Sequence, residues 1–276
     1  GSRSESMLFV RGFNSRQVPV YLDGIPIYVP YDGNIDLGRL TTYDLASINV
    51  SKGFTSVLYG PNTLGGSVNL VSRKPVEPLE MDMGVSLNAD DNVDLASYNT
   101  YFNAGGNKDT WYWQGSASMT DRNFYSLPDN FSSDGAENGG HRENSENRDG
   151  KVAFKLGLTP NERDEYAISY QNAQGKKETP VYAGDDPSYR TRYWQWPEYD
   201  KESVYLIAKK GLGVTEYITL KAYYDSFKNT LRSYDDDNYN SQLRGYAFNS
   251  VYDDYSWGGS VEFGTQAIAN HDIKFA

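Results

Sequence analysis

Apolar and polar residues alternate one by one along most of the chain after residue 79. In residues 151–158 the even-numbered positions are Val152, Phe154, Leu156 and Leu158, while the odd-numbered positions are small or charged. The same alternation recurs at 83–89, 111–119, 165–170, 217–224 and 257–263. It predicts β-strands with one apolar and one polar face. Strands of about ten residues are long enough to cross a bilayer when they are tilted.

The connections between these strands alternate in length. Residues 106–109, 159–162 and 212–215 form short turns, whereas 124–147, 174–200 and 229–254 form long loops, and the first (90–95) and last (266–270) connections are short. Outer-membrane barrels place short turns at one end and long loops at the other. We therefore predict a mainly β chain in which about nine strands of a transmembrane antiparallel barrel occupy residues 79–276. A large soluble β-sandwich or propeller is the alternative.

Residues 7–78 have a different character from the rest. Short apolar runs at 18–22 and 67–71 are separated by tight glycine turns, which predicts a small α/β domain. Residues 1–6 are expected to be a tag remnant or linker. The polar strand face, with Ser116, Ser118 and Glu262, is expected to point toward this domain, and Trp113 and Phe154 are expected to point away.

Composition narrows the possible functions. Only 38% of the residues are hydrophobic, the mean hydropathy is −0.69, and the chain has 24 Tyr. With no cysteine and two histidines, His141 and His271, we predict no metal site, no cofactor and no catalytic residues. The net charge of −11 argues against a nucleic-acid partner.

Three motifs carry a resemblance to a known family. They are FVRGF at 9–13 with VYLDGIP at 20–26, LASINVSKG at 45–53, and VLYGPNTLGGSVNLVSRKP at 57–75. In this order and spacing they resemble the plug of TonB-dependent outer-membrane receptors of the siderophore receptor type. The second motif departs from the family, because residues 46–49 lack its usual charged residues. The resemblance implies a partial chain: the C-terminal half of the plug and the first part of a barrel of about 22 strands. The segment that contacts TonB is expected to precede Met7.

The same resemblance implies a function. It would be a receptor in the outer membrane of a Gram-negative bacterium that imports a metal chelate, most readily a ferric siderophore, by TonB-driven plug rearrangement. Its partners would be the chelate, the TonB energy-transducing protein and outer-membrane lipid. Cobalamin, haem or another metal chelate is the alternative cargo. A passive porin or adhesion barrel is an alternative from a different class, and a soluble enzyme is a third, although no nucleophile and base are found together.

Candidate ligand-binding residues lie on the plug loops and on the long barrel loop. They are Asn14, Arg16, Gln17, Tyr31, Asp32, Asn34, Tyr189, Arg190, Arg192, Tyr193, Trp194 and Trp196. Aromatic rings with interleaved arginines can hold a catecholate or hydroxamate chelate by stacking and charge. In the alternative interpretation, Trp194 and Trp196 belong to the outer aromatic girdle.

Contacts between plug and barrel are expected from Arg11, Lys52 and Arg73 on one side and from Glu165 and Glu262 on the other. A buried arginine at this interface needs a carboxylate partner. Lys74 is expected to be a solvated turn residue. The acidic runs 235–237 and 253–254 are expected to be solvated loop tips, with calcium binding as the alternative.

Overall fold

The computed structural model describes residues 3–31, 33–53, 60, 62–132, 137–184, 186, 188–268 and 270–276. A four-stranded sheet lies in the N-terminal part, with the order β2-β1-β4-β3. Its strands are β1 (Val20–Leu22), β2 (Ile25–Ile27), β3 (Leu45–Lys52) and β4 (Gly66–Ser72), and a short 3-10 helix spans Leu37–Arg39. Strands β1 and β4 are parallel, and the other two pairs are antiparallel. We call residues 3–78 the inner domain.

The remaining residues form one antiparallel sheet of nine strands, ordered as in the sequence. They are β5 (Glu80–Ala89), β6 (Leu95–Lys108), β7 (Trp111–Arg122), β8 (Asn147–Asn161), β9 (Asp164–Thr179), β10 (Tyr193–Gly211), β11 (Glu216–Tyr234), β12 (Phe248–Thr265) and β13 (Ile273–Phe275). The predicted nine-stranded meander is confirmed. We call this sheet, residues 79–276, the wall. No described helix is both long enough and apolar enough to span a membrane.

The meander places the long connections together. Because each strand of the wall runs antiparallel to the next, residues 123–146, 180–192 and 235–247 emerge at one end. The turns predicted at 106–109, 159–162 and 212–215 lie at the other end, as predicted, but β6 and β8 extend into the first two and shorten them to 109–110 and 162–163.

The predicted bounds of two long loops were wrong. Strands β9 to β12 extend past the apolar alternation, so residues 174–179, 193–200, 229–234 and 248–254 are strand rather than loop. The register shifts between Gln195 and Glu198. Such a bulge exchanges the faces on which the following residues lie, so the alternation can no longer be read from the sequence.

The two faces of the wall differ in polarity. Outward-pointing residues such as Met83, Phe154 and Trp257 are 78%, 49% and 77% exposed. On the inward face the polar residues Asn103 and Asn229 are almost fully buried. An apolar band of this extent on an antiparallel sheet is typical of a surface that contacts lipid.

The inner domain packs its own core against the wall. The core contains Val18, Val20, Leu22, Ile25, Ile35, Val68 and Leu70, together with Tyr205 from β10 of the wall. Ser118 of β7 donates a hydrogen bond to Thr41 Oγ1 at 3.2 Å, so the polar face points toward the inner domain as predicted. The inner domain therefore shares its core with the wall.

Candidate functional site

Four of the described ion pairs between the inner domain and the wall are buried on both sides of the contact. Their N–O distances are 2.6 Å for Asp23–Lys155, 2.7 Å for Asp36–Lys177, 2.7 Å for Asp44–Lys151 and 2.6 Å for Arg39–Asp149. None of these eight side chains is more than 15% exposed. Charges removed from water are tolerated when they are paired, and removing one partner costs about 3–5 kcal/mol. We call these four pairs the seam.

Asp23 is the most heavily bonded acid of the seam. It lies in the turn between β1 and β2, and it accepts hydrogen bonds from the backbone and hydroxyl of Ser72 at 2.9 and 2.7 Å. The Tyr205 hydroxyl donates to it at 3.0 Å, in addition to Lys155. Burial acts to raise the pKa of Asp23, but the Lys155 ammonium and these hydrogen bonds outweigh it and hold the pKa below its ordinary value of 3.8.

The short 3-10 helix carries a second acid of the seam. It also carries the base that the inner domain contributes to the seam. Asp36 caps this helix by accepting hydrogen bonds from the backbone N–H groups of Gly38 and Ser6. Arg39, in its last position, lies over the Tyr199 ring at 4.4 Å and pairs with Asp149 of β8. The helix therefore presents opposite charges to two wall strands.

Aromatic rings extend the contact beyond the charges. Tyr31 stacks on Tyr252 of β12 with ring centroids 4.1 Å apart, and its hydroxyl accepts a hydrogen bond from Asn229. Tyr43 stacks on Tyr101 of β6 at 4.5 Å. These contacts reach from β6 to β12, so they fix the inner domain across almost the whole width of the wall.

The expected contact residues occupy different environments. Glu165 accepts hydrogen bonds from Tyr112 and from Lys74, at 2.6 and 2.9 Å. The expectation that Lys74 is only solvated was therefore wrong, because its ammonium also lies over the Tyr112 ring. Arg73 pairs with Asp82 of β5 at 3.0 Å.

The other three residues of that set do not join the seam. Glu262 accepts a hydrogen bond from Tyr217 at 2.9 Å and lines a cavity of about 1130 Å³ between the inner domain and strands β11 and β12. Arg11 and Lys52 are exposed, and in the described part of the chain neither forms an ion pair with the wall.

The candidate binding residues of the inner domain lie in two loops. Asn14 and Gln17 close a turn through mutual hydrogen bonds, with the exposed Arg16 between them. Asn34 accepts a backbone hydrogen bond from Val29, whereas Tyr31 is packed on the wall. Asp32 lies outside the described residues, as do residues 57–59 and 61 of the third sequence motif.

The candidates on the wall form an aromatic and basic patch at the long-loop end. Tyr189 is 63% exposed. Arg190 lies over the Tyr246 ring at 4.0 Å, and Arg192 lies over Trp194 at 4.6 Å. Tyr193 meets Tyr239 edge-on at 6.1 Å. Arg190 and Tyr193 thus pack on the loop 235–247. We call Tyr189, Arg190, Arg192 and Tyr193 the loop patch.

Trp196 differs from the loop patch. It is only 5% exposed, and the Lys177 ammonium lies 5.2 Å from its ring. Since Lys177 also pairs with Asp36, the ring lies on the inward side of the wall rather than in an outer girdle. Trp194 contacts it edge-on at 5.9 Å.

The expectation that both acidic runs are solvated loop tips was wrong, because Asp235 is buried in its loop and residues 253–254 lie in β12. The Asp235 carboxylate accepts hydrogen bonds from the backbone N–H groups of Leu243 and Arg244 and from the Ser241 hydroxyl. These bonds, led by the one from Leu243, hold the pKa of Asp235 below its ordinary value. Asp236 likewise accepts hydrogen bonds from Asn238.

Sequence reasoning missed the acids of the seam and one further cluster. Asp36 and Asp44 occupy irregular segments, where no periodicity marks the side that faces the wall. A partial signal existed, because Lys151 and Lys155 fall on the predicted polar face.

The further cluster that sequence reasoning missed consists of Asp90, Asp94 and His141, whose possible ligand atoms all lie within 4.8 Å of one another.

Comparison with known proteins agrees with this architecture. Residues 1–67 match the family described as the TonB-dependent Receptor Plug Domain. Among solved structures, the copper transporter OprC is 16% identical with a TM-score of 0.72, covering 96% of this chain and 38% of its own. The ferric enterobactin receptor PfeA from Pseudomonas aeruginosa, in its G324V mutant form, is 11% identical with a TM-score of 0.68, covering 94% and 40%. The FrpB iron transporter from Neisseria meningitidis is 14% identical with a TM-score of 0.67, covering 99% and 44%.

Residues 1–67 therefore resemble the plug domain of TonB-dependent receptors, and the chain shares its fold with the part of these transporters and receptors that it covers. It spans about two fifths of the length of the solved structures that it matches.

The seam predicts unequal effects for two adjacent lysines of β9. Replacing Lys177→Met leaves the buried Asp36 carboxylate without its ammonium. We expect this loss to weaken docking by about 3 kcal/mol, so that the Gly38 amide exchanges roughly 100-fold faster in a hydrogen-exchange measurement.

Lys176→Met is the matched control, because Lys176 and Glu146 are exposed and 4.0 Å apart. An exposed pair of this kind contributes about 0–1 kcal/mol. Equal exchange rates in the two variants would contradict the importance of the seam.

The lowered pKa of Asp23 predicts how docking depends on pH. A carboxyl whose folded-state pKa is depressed stabilises the fold fully above its ordinary pKa, and this contribution is lost as pH falls through the lowered value. The contribution of Asp23 to the free energy of docking should therefore be present at neutral pH and lost below pH 3.8.

Hydrogen exchange of the β1–β2 turn as a function of pH measures this loss. Asp23→Asn should remove the corresponding part of the acid transition, and an unchanged transition in that variant would show that other groups cause it.

Proposed function

From the docked plug and the apolar outer face of the wall, we propose that this chain is part of an outer-membrane receptor that imports a metal chelate, most readily a ferric siderophore. The receptor would work in a Gram-negative bacterium and draw energy from TonB. The seam is the observation that carries the proposal. A domain docked on the polar face of a lipid-facing sheet is suited to close a pore and to open it when the domain moves.

The loop patch is suited to the first step, which is capture of the chelate. It lies at the end of the wall from which the long loops emerge, and its arginines already stack on tyrosine and tryptophan rings. Ferric catecholate chelates are anionic and aromatic, so they match a surface of arginine and aromatic side chains. Copper transport by OprC and ferric enterobactin binding by PfeA, as their names state, agree with a metal cargo.

The loops of the inner domain would form the floor of the binding site. The turn at Asn14–Gln17 and the segment around Asn34 offer amide and guanidinium donors, and Asp32 stays a candidate from the sequence alone. Trp196 would act differently, by shielding the Lys177–Asp36 pair from water. An ion pair gains strength when its surroundings have a low dielectric constant.

The seam also explains why transport would require energy. Opening a path past the inner domain separates buried charges, and leaving one such charge unpaired costs about 3–5 kcal/mol. Binding of a chelate at the outer end does not by itself touch the four pairs. Force applied by TonB to the inner domain would supply this work, whereas a passive porin needs none.

A disulfide between the inner domain and the wall should block uptake and leave capture intact. Thr41 and Ser118 already contact each other at 3.2 Å, so Thr41→Cys combined with Ser118→Cys places two thiols within bonding reach. We expect oxidised cells to bind radiolabelled ferric chelate but not to import it, and reduction should restore import. The chain has no other cysteine to confuse the result.

Each single cysteine variant is the control and should import under both conditions. Import through the oxidised double variant would show that the inner domain need not move at this contact.

The cargo is identified by growth of a receptor-deleted strain, complemented with the whole gene, on a panel of iron chelates, cobalamin and haem. Failure of every chelate to support growth would contradict the proposed function.

A further inference from the structure

A second group of polar residues lies at the long-loop end, apart from the seam and the loop patch. The turn between β5 and β6 is built on Asp90, whose Oδ1 accepts hydrogen bonds from the backbone N–H groups of Asn92 at 3.0 Å and Asp94 at 2.8 Å. These bonds fix the Asp90 carboxylate and direct Oδ2 away from the turn. They also bring the Asp94 side chain to the same side.

His141 approaches this turn from the loop between β7 and β8. Its backbone pairs with Ser126 in an isolated antiparallel bridge, and the adjacent Arg142 N–H donates to the Tyr125 carbonyl. The imidazole stacks on the Phe124 ring with centroids 3.4 Å apart. Its Nε2 lies 3.1 Å from Asp90 Oδ2. Backbone and ring contacts therefore both orient the histidine toward the turn.

The spacing of these atoms suits a bound cation. Two ligands of a tetrahedral zinc ion, at about 2.0–2.1 Å from the metal, lie about 3.3 Å from each other. His141 and Asp90 are already at this spacing, and all three possible ligand atoms lie within 4.8 Å. Asp94 is exposed, so a small side-chain rotation brings its carboxylate onto the ion. A water molecule would complete the shell.

We propose that Asp90, Asp94 and His141 bind a divalent transition-metal ion of the zinc class, which clamps the β7–β8 loop to the β5–β6 turn. One imidazole nitrogen with two carboxylates is a donor set for such an ion, whereas calcium requires six to eight oxygens. The ion is a structural element of the outer end of the wall. It replaces the direct contact between His141 and Asp90 with two stronger bonds to a shared metal.

Calorimetric titration of the metal-stripped, purified whole protein with Zn²⁺ tests this site. We expect one ion per chain, with affinity lowered by at least roughly 10- to 100-fold in His141→Gln, a loss as large as that from removing a supporting ligand contact. Asp94→Asn should also weaken binding, and because this side chain is exposed the variant keeps its fold. Hydrogen exchange at 90–94 and 137–145 should slow on addition of Zn²⁺.

His271→Gln is the matched control, because the only other histidine of this chain lies in the 266–272 connection at the opposite end. It should bind Zn²⁺ as the unmodified protein does. The proposal is overturned if Zn²⁺ does not bind, if His141→Gln and Asp94→Asn bind it unchanged, or if exchange at the two segments is the same with and without the ion.

Discussion

Buried charge at the seam is the constraint on which the rest of the structure depends. Asp23, Asp36 and Asp44 each leave water when the inner domain docks, and each meets one lysine of the wall. A carboxylate in this setting without its partner is strongly unfavourable. The inner domain is therefore held in one position, because a shift by a single wall residue would separate all three pairs at once.

The polarity of the wall follows from the same constraint. Lysines at 151, 155 and 177 must point inward, so the intervening positions of the strands point outward and carry Val152, Phe154 and Leu156. One alternating pattern therefore provides both a polar face on which the inner domain docks and an apolar outer face. The aromatic stacks of Tyr31 and Tyr43 add contacts that do not depend on charge.

The strands of the wall could be predicted from sequence because the alternation of apolar and polar residues is visible in each short segment of the chain. The start of β10 could not, because a bulge near Trp196 shifts the faces of that strand. The partners at the seam were also beyond local reasoning, since Asp36 and Lys177 are 141 residues apart. The metal-ligating cluster was missed for the same reason: a lone histidine gains significance only when folding brings Asp90 beside it.

We propose that one face of the wall contacts lipid, while the other holds the inner domain. Single cysteines placed in turn at residues 151–158 of the whole protein in bilayers, each carrying a nitroxide label, test it directly. The accessibility of the labels to oxygen should alternate with a period of two, with maxima at Phe154 and Leu156. A label at the exposed Tyr189 should instead be accessible to a water-soluble relaxation reagent. Uniform accessibility along 151–158, or maxima at Lys151 and Lys155, would contradict the account.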